Sequence, residues 1–291
     1  MRWQMGNRSS NVEDRRGSSG RGGLVKLGGG SGCLLVIVAL VMVAMGENPL
    51  QLLGMIESTG GGGGAAPSGP VESSPEEDQQ VEFVRVVLGD TETTWNRVLP
   101  QQANTPYREP TLVLFRDAVR SACGYNSAAV GPFYCPADQK VYIDLAFFDQ
   151  LARQFDAPGD FAQAYVIGHE IGHHVQNLTG VSNRVARARS GRSQVQANQL
   201  SVLQELQADC YAGVWAHFAN QERQMLEPGD IDEGLRAAAA IGDDTIQRRS
   251  QGRVSPESWT HGSSEQRVRW FRTGFQSGSM ASCDTFGAAG I

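Results

Sequence analysis

The sequence predicts an α+β fold, a small β-sheet beside a mainly helical body, preceded by an N-terminal transmembrane helix. Three observations lead there. Residues 162–178 and 194–218 repeat apolar side chains at helical spacing. Residues 111–115 (TLVLF) and 141–145 (VYIDL) are short runs of branched and aromatic residues, the composition of strands. Residues 27–46 carry no charge and 33–45 are continuously apolar, about enough to cross a bilayer.

Taken in chain order, residues 1–32 are rich in Gly, Ser, Asn and Arg with no apolar period, and predict a disordered cytoplasmic tail. Residues 33–53 are the expected membrane anchor; a cleaved signal peptide competes, because Ala44-Met45-Gly46 has the small-x-small pattern of a cleavage site. Residues 54–75 hold a Gly, Pro and Ser linker, and the globular domain is expected over 76–291. Its first helix falls at 82–99, with Phe83, Val86, Val87 and Trp95 facing the core. Phe133 and Tyr134 are expected to pair with Val141 and Tyr142, turning at 136–138. A helix over 147–155 follows, then Pro158-Gly159-Asp160 opens the helix of 162–178. Helices at 194–218, 230–248 and 263–276 complete the body; Ser263 caps the last, with Gln266 as its capping-box partner. Arg184, Arg187, Arg189 and Arg192 fall in a polar connector, expected to be a solvated, mobile loop.

Charge orients the chain. Arg2, Arg8, Arg15, Arg16, Arg21 and Lys26 precede the apolar run against only Glu13 and Asp14, and the first charges after it are Glu47 and Glu57. Basic flanks stay cytoplasmic, so a single-pass inner or plasma membrane protein is expected, its domain periplasmic or extracellular. The residues before the apolar run carry +4 of the chain's −6, so the remainder carries −10, an acidity that argues against nucleic acid as a partner. Four cysteines lie beyond the apolar run, an even number that suits an oxidising compartment. The expected pairs are Cys123 with Cys135 and Cys210 with Cys283, free buried thiols being the alternative.

The chemistry is concentrated in His169-Glu170-Ile171-Gly172-His173. Histidines four apart share one helix face and can reach one metal ion. Glu170 sits on the flank of that face, where a carboxylate can take a proton from a zinc-activated water. A hydrolytic zinc site usually has three protein ligands. The long form of the motif needs glycine and histidine where Gln176 and Thr179 stand, so the third ligand must come from elsewhere. Glu205 and Asp209 lie four apart on the next helix, among small and apolar neighbours that do not suit a solvated face. Glu205 is the expected ligand, with Asp209 expected to hydrogen-bond the far nitrogen of a ligand histidine; Asp209 as ligand is the competitor. His174 and His217 are expected to be structural. His261, on the loop entering the last helix, either donates to an oxyanion or is a loop residue with no catalytic part.

The chain resembles the neutral zinc metallopeptidase family of bacteria, a group of gluzincin type. The resemblance runs through Ser10–Gly17 (SNVEDRRG), 131–138 (GPFYCPAD), His174-Val175-Gln176, 205–213 (ELQADCYAG), His261-Gly262-Ser263-Ser264 with Gln266-Arg267, and 283–286 (CDTF). It implies a zincin-like fold and a zinc peptidase with one Zn2+ per chain, His169, His173 and Glu205 as ligands and Glu170 as base. The spacing from His261 to Arg267 is also similar to that of CAAX-type membrane peptidases, which implies that Arg267 supports the second-shell carboxylate; glycine follows His261 where those enzymes have proline. The expected function is a membrane-anchored zinc endopeptidase acting on peptides or proteins of the cell envelope. A catalytically idle zinc-bearing scaffold that binds peptides, and a zinc hydrolase of a non-peptide amide, are the alternatives.

Overall fold

The computed structural model describes residues 1–17, 71, 73–127 and 131–287. Its described elements run β1 (Val12–Asp14), α1 (Pro75–Ala103), β2 (Thr111–Phe115), β3 (Ala118–Ser121), β4 (Gly124–Ser127), β5 (Phe133–Cys135), β6 (Lys140–Asp144), α2 (Ala146–Arg153), α3 (Asp160–Leu178), α4 (Val181–Arg189), α5 (Gln194–Gln221), α6 (Asp230–Ala240), α7 (Asp243–Gln251) and α8 (Ser264–Ser277). The fold is α+β, as expected.

The main sheet has the order β1-β2-β6-β5, and β3 and β4 form a separate hairpin. β1, β2 and β6 are parallel, while β5 runs antiparallel along the outer edge of β6. Phe133 faces Tyr142 and Tyr134 faces Val141, the register the sequence predicts. Ser74 caps α1 by accepting from the Glu77 backbone N–H, and Ser263 caps α8 with Gln266 closing the capping box. The helix expected over 230–248 is two helices, α6 and α7, broken at Ile241-Gly242. The break is forced by α8: a Cβ on Gly242 would lie 2.5 Å from the Ser264 backbone nitrogen. The arginine-rich connector expected to be a loop is largely helical, because Val181 and Val185 bury one face of α4 against Leu200 and Phe286.

The largest departure concerns the N-terminus. Residues 1–17, expected as part of a disordered tail, belong to the same unit as Val71–Ile291. Composition misled because the apolar residues there are few but placed: Trp3 is buried with its ring edge-on to Phe83, 5.5 Å between centroids. The Leu112 N–H donates to Asn11 O and the Arg15 N–H to Leu114 O, knitting β1 onto β2. The anchor expected over 33–53 and nearly all of the 54–75 linker lie outside the described residues. Among the described residues no helix is long and apolar enough to cross a membrane.

A Trp3→Ala substitution is expected to lower stability by about 3–5 kcal/mol, the cost of truncating a buried Trp, read as a lower urea midpoint. A midpoint equal to the parent's would return the segment to a disordered tail.

Candidate metal centre

Three helices build the site. α3 carries His169, Glu170 and His173, α5 carries Glu205 and Asp209, and α8 carries Arg267. α3 lies directly on α5 because Gly172 has no side chain: a Cβ there would stand 2.8 Å from Ala208 O. α5 and α8 approach more closely still, at Gly213 and Gly274, where a Cβ would strike the backbone of Phe271 and Cys210 respectively. The Cys210–Cys283 disulfide ties the same helix to the chain's C-terminal end, and Cys123–Cys135 ties the β3–β4 hairpin to β5; both pairs are those expected.

The two imidazoles are aimed by their Nδ1 atoms. His169 Nδ1 lies 2.8 Å from Asp209 Oδ1, and His173 Nδ1 lies 2.9 Å from Gln176 Oε1. With both Nδ1–H groups donating, the Nε2 atoms turn to Glu205 Oε2, at 3.2 and 3.5 Å. Ligand atoms about 2.0–2.1 Å from a tetrahedral zinc stand roughly 3.3 Å apart. His169, His173 and Glu205 therefore fit one zinc ion by donor type and by spacing. Asp209 lies outside this convergence and meets His169 at the opposite ring nitrogen, Nδ1.

Electrostatics also call for a cation here. Burial works against a charged imidazole, yet Asp209 and Glu205 outweigh it and hold His169 up at about 10. His173 is raised as well, against its own burial, chiefly by Glu205. Glu205 is partly buried, which opposes its charge, and the two imidazoles hold its carboxyl well below the usual range.

Asp209 is fully buried and its charge is spread over three partners. Arg267 donates from Nε to Oδ2 at 2.9 Å and from Nη2 to Oδ1 at 3.0 Å, the paired geometry of a guanidinium on a carboxylate. The Tyr165 hydroxyl donates to the same Oδ1 that faces His169. Burial opposes the Asp209 charge, but Arg267 and then His169 bring its pKa to about 2. Arg267 also donates to Ile241 O and Tyr165 Oη, at 3.1 Å each.

Glu170 is only 7 % exposed and makes no hydrogen bond or ion pair with the described residues. It opens onto a cavity of about 640 Å3 that His169, His173, Glu205 and His261 also line. Phe147, Phe155, Val166, Ile241 and Ile246 form apolar wall, and Gly131 to Tyr134, leading into and along the edge strand β5, form another side.

His261 is half exposed at the cavity, with Nδ1 3.3 Å from Asp243 Oδ1. Asp243 Oδ2 accepts the backbone N–H groups of Thr260, His261 and Gly262, fixing the loop that presents the ring. His174 and His217 are outside the centre. His174 Nε2 donates to Arg108 O, its Nδ1 accepts from Tyr134, and burial pushes it down to about 4. His217 Nδ1 donates to Phe275 O.

The sequence reading missed Tyr165, Gln176 and Asp243. Tyr165 lies four residues before His169 and Gln176 three after His173, so helical spacing carried a signal for both. Asp243 had none, because its loop contact comes from a separate helix.

The family model described as "Putative neutral zinc metallopeptidase" matches residues 1–286. The uncharacterized protein YpfJ of Escherichia coli (strain K12) is 45% identical over 295 residues, 99% of each chain. The uncharacterized protein Rv2575 of Mycobacterium tuberculosis (strain ATCC 25618 / H37Rv) is 46% identical over 210 residues, 69% of this chain and 68% of its own. No solved structure matches significantly.

Arg267→Met is expected to destabilise the fold by about 3–5 kcal/mol, because it leaves the Asp209 carboxylate buried without its cation. Thermal or chemical unfolding measures it, and an unchanged midpoint would mean that the network does not hold the helices together.

Proposed function

The chain belongs to the neutral zinc metallopeptidase family, and from that premise we propose that it hydrolyses peptide bonds as an endopeptidase with Glu170 as general base. The observation that carries this reading is a nearly buried, unpartnered carboxylate beside three converging metal ligands in one open cavity. His169, His173 and Glu205 would hold a zinc ion, which would supply Lewis acidity to a substrate carbonyl and to the attacking water.

The chain's own residues do the rest. Glu170 accepts a proton from the attacking water and returns it to the leaving amine. Asp209 and Gln176 keep both ring Nδ1–H groups engaged, so the Nε2 lone pairs stay directed at the metal. The substrate lies as an added strand along β5, whose outer edge is unpaired in the described sheet and borders the cavity. His261 donates from its ring to the carbonyl oxygen as negative charge develops there, and Asp243, beside Nδ1, orients the ring. The two disulfides support an oxidising, extracytoplasmic site of action.

Glu170→Gln is expected to retain one zinc per chain by elemental mass spectrometry and to lose about 10^2–10^4 in turnover, whereas Glu205→Ala loses the zinc with the activity. Peptide cleavage at the parent rate in Glu170→Gln would sink the mechanism; zinc-dependent peptide binding without turnover in the parent would make the protein a scaffold.

His261→Ala is expected to lower kcat by about 10^2–10^3, the usual loss for an oxyanion donor, with little change in KM. A parent-like kcat would leave the residue as part of the loop alone.

A further inference from the structure

The positive-inside reading puts residues 1–17 and the metal domain on opposite sides of a membrane, joined by one span. The folded unit does not permit that arrangement. Three separate sets of contacts build residues 1–17 into the domain.

The first is the sheet: Val12, Glu13 and Asp14 pair in parallel with Leu112, Val113 and Leu114. The second is the face of α1. Gly89 lets the chain at Asn7–Ser9 lie directly on the helix, since a Cβ there would stand 2.5 Å from Asn7 O. Beside it Ser9 Oγ and Asn11 Nδ2 donate to Glu92, at 2.6 and 2.8 Å, and Glu92 is itself buried. Without these donors the buried Glu92 carboxylate, in the middle of α1, would have no hydrogen-bond partner among the described residues. The third set closes the excursion. Arg16, buried against Asp14, donates to Ser73 Oγ at 3.1 Å and pairs with Glu77 at 3.2 Å. Residue 16 and residue 73 are thus held within reach of one side chain, so the described chain breaks off after Gly17 and resumes at Val71 in one place.

A chain that leaves and returns at one place crosses a membrane an even number of times. Two crossings need about 40 apolar residues. The uncharged stretch 27–46 supplies roughly one crossing's worth. We propose that residues 1–17 and the metal domain stand on the same side of the membrane, and that 18–70 does not carry the domain across as a single span. The catalytic reading is independent of this, since it concerns the cleft alone.

The test is cysteine labelling of the full chain in cells. In a Cys33→Ser background, Met5→Cys and Ser190→Cys place single probes on exposed positions of the N-terminal segment and of the domain. A membrane-impermeant maleimide is applied to intact spheroplasts and to permeabilised ones. The expected result is the same pattern for both probes. Labelling of both in intact spheroplasts also supports the extracytoplasmic site of action. Labelling of both only after permeabilisation upholds the proposal and overturns that location. One probe labelled in intact spheroplasts and the other only after permeabilisation overturns the proposal.

A second measurement does not depend on the probes. A specific protease site inserted between Gly62 and Gly63 is cut in the purified, C-terminally tagged protein. The N-terminal fragment is expected to remain bound through affinity capture and gel filtration. Its release from a still-folded domain overturns the proposal.

Discussion

The structure depends on one buried carboxylate. Asp209 has no access to solvent and lies where α3, α5 and α8 cross, so its charge must be met by groups from the other two helices. Arg267 meets it from α8, and Tyr165 and His169 meet it from α3. A buried ion pair of this kind contributes little net stability compared with apolar packing, but it tolerates no misalignment. Its geometry fixes the helix crossing, the crossing fixes the His169 ring, and the ring's free nitrogen then has one direction to face. The same contacts that hold the helices together therefore pre-organise the metal ligands.

The close helix approaches have the same logic. Gly172 on α3 and the Gly213–Gly274 pair between α5 and α8 remove the side chains that would separate the backbones. A Cβ at Gly172 would press α3 from α5, and with it His169 and His173 from Glu205; a Cβ at Gly213 or Gly274 would press α5 from α8, and with it Asp209 from Arg267. The disulfide at Cys210 reinforces the helix one residue from Asp209, where a small displacement would be felt directly at the ligand.

Function follows from an asymmetry among the acids of the cleft. Glu205 and Asp209 are engaged by cations or donors, whereas Glu170 is nearly buried and has no partner among the described residues. A carboxylate kept in that condition is available to a proton from a reacting water. Asp243 makes a different contribution, organising a loop rather than a charge, and it places His261 at the mouth of the same cavity. The edge strand, the apolar wall and the loop histidine line the same cavity as Glu170.

How much of this was legible in the chain divides along physical lines. Local periodicity determined the helices that carry His169, His173 and Glu205, the pairing of Phe133 with Tyr142, and the Ser263 cap, because each rests on residues a few positions apart. The break at Ile241-Gly242, the loop contacts of Asp243 and the convergence of Glu205 rather than Asp209 on the two Nε2 atoms depend on which helix lies opposite, and only the tertiary structure decides them. The N-terminal segment is the clearest case. Its composition is that of a disordered tail, and nothing within 17 residues could satisfy its strand or bury Trp3. What orders it is β2 and the apolar face of α1, about a hundred residues away, and a pairing at that distance leaves no period in the local sequence.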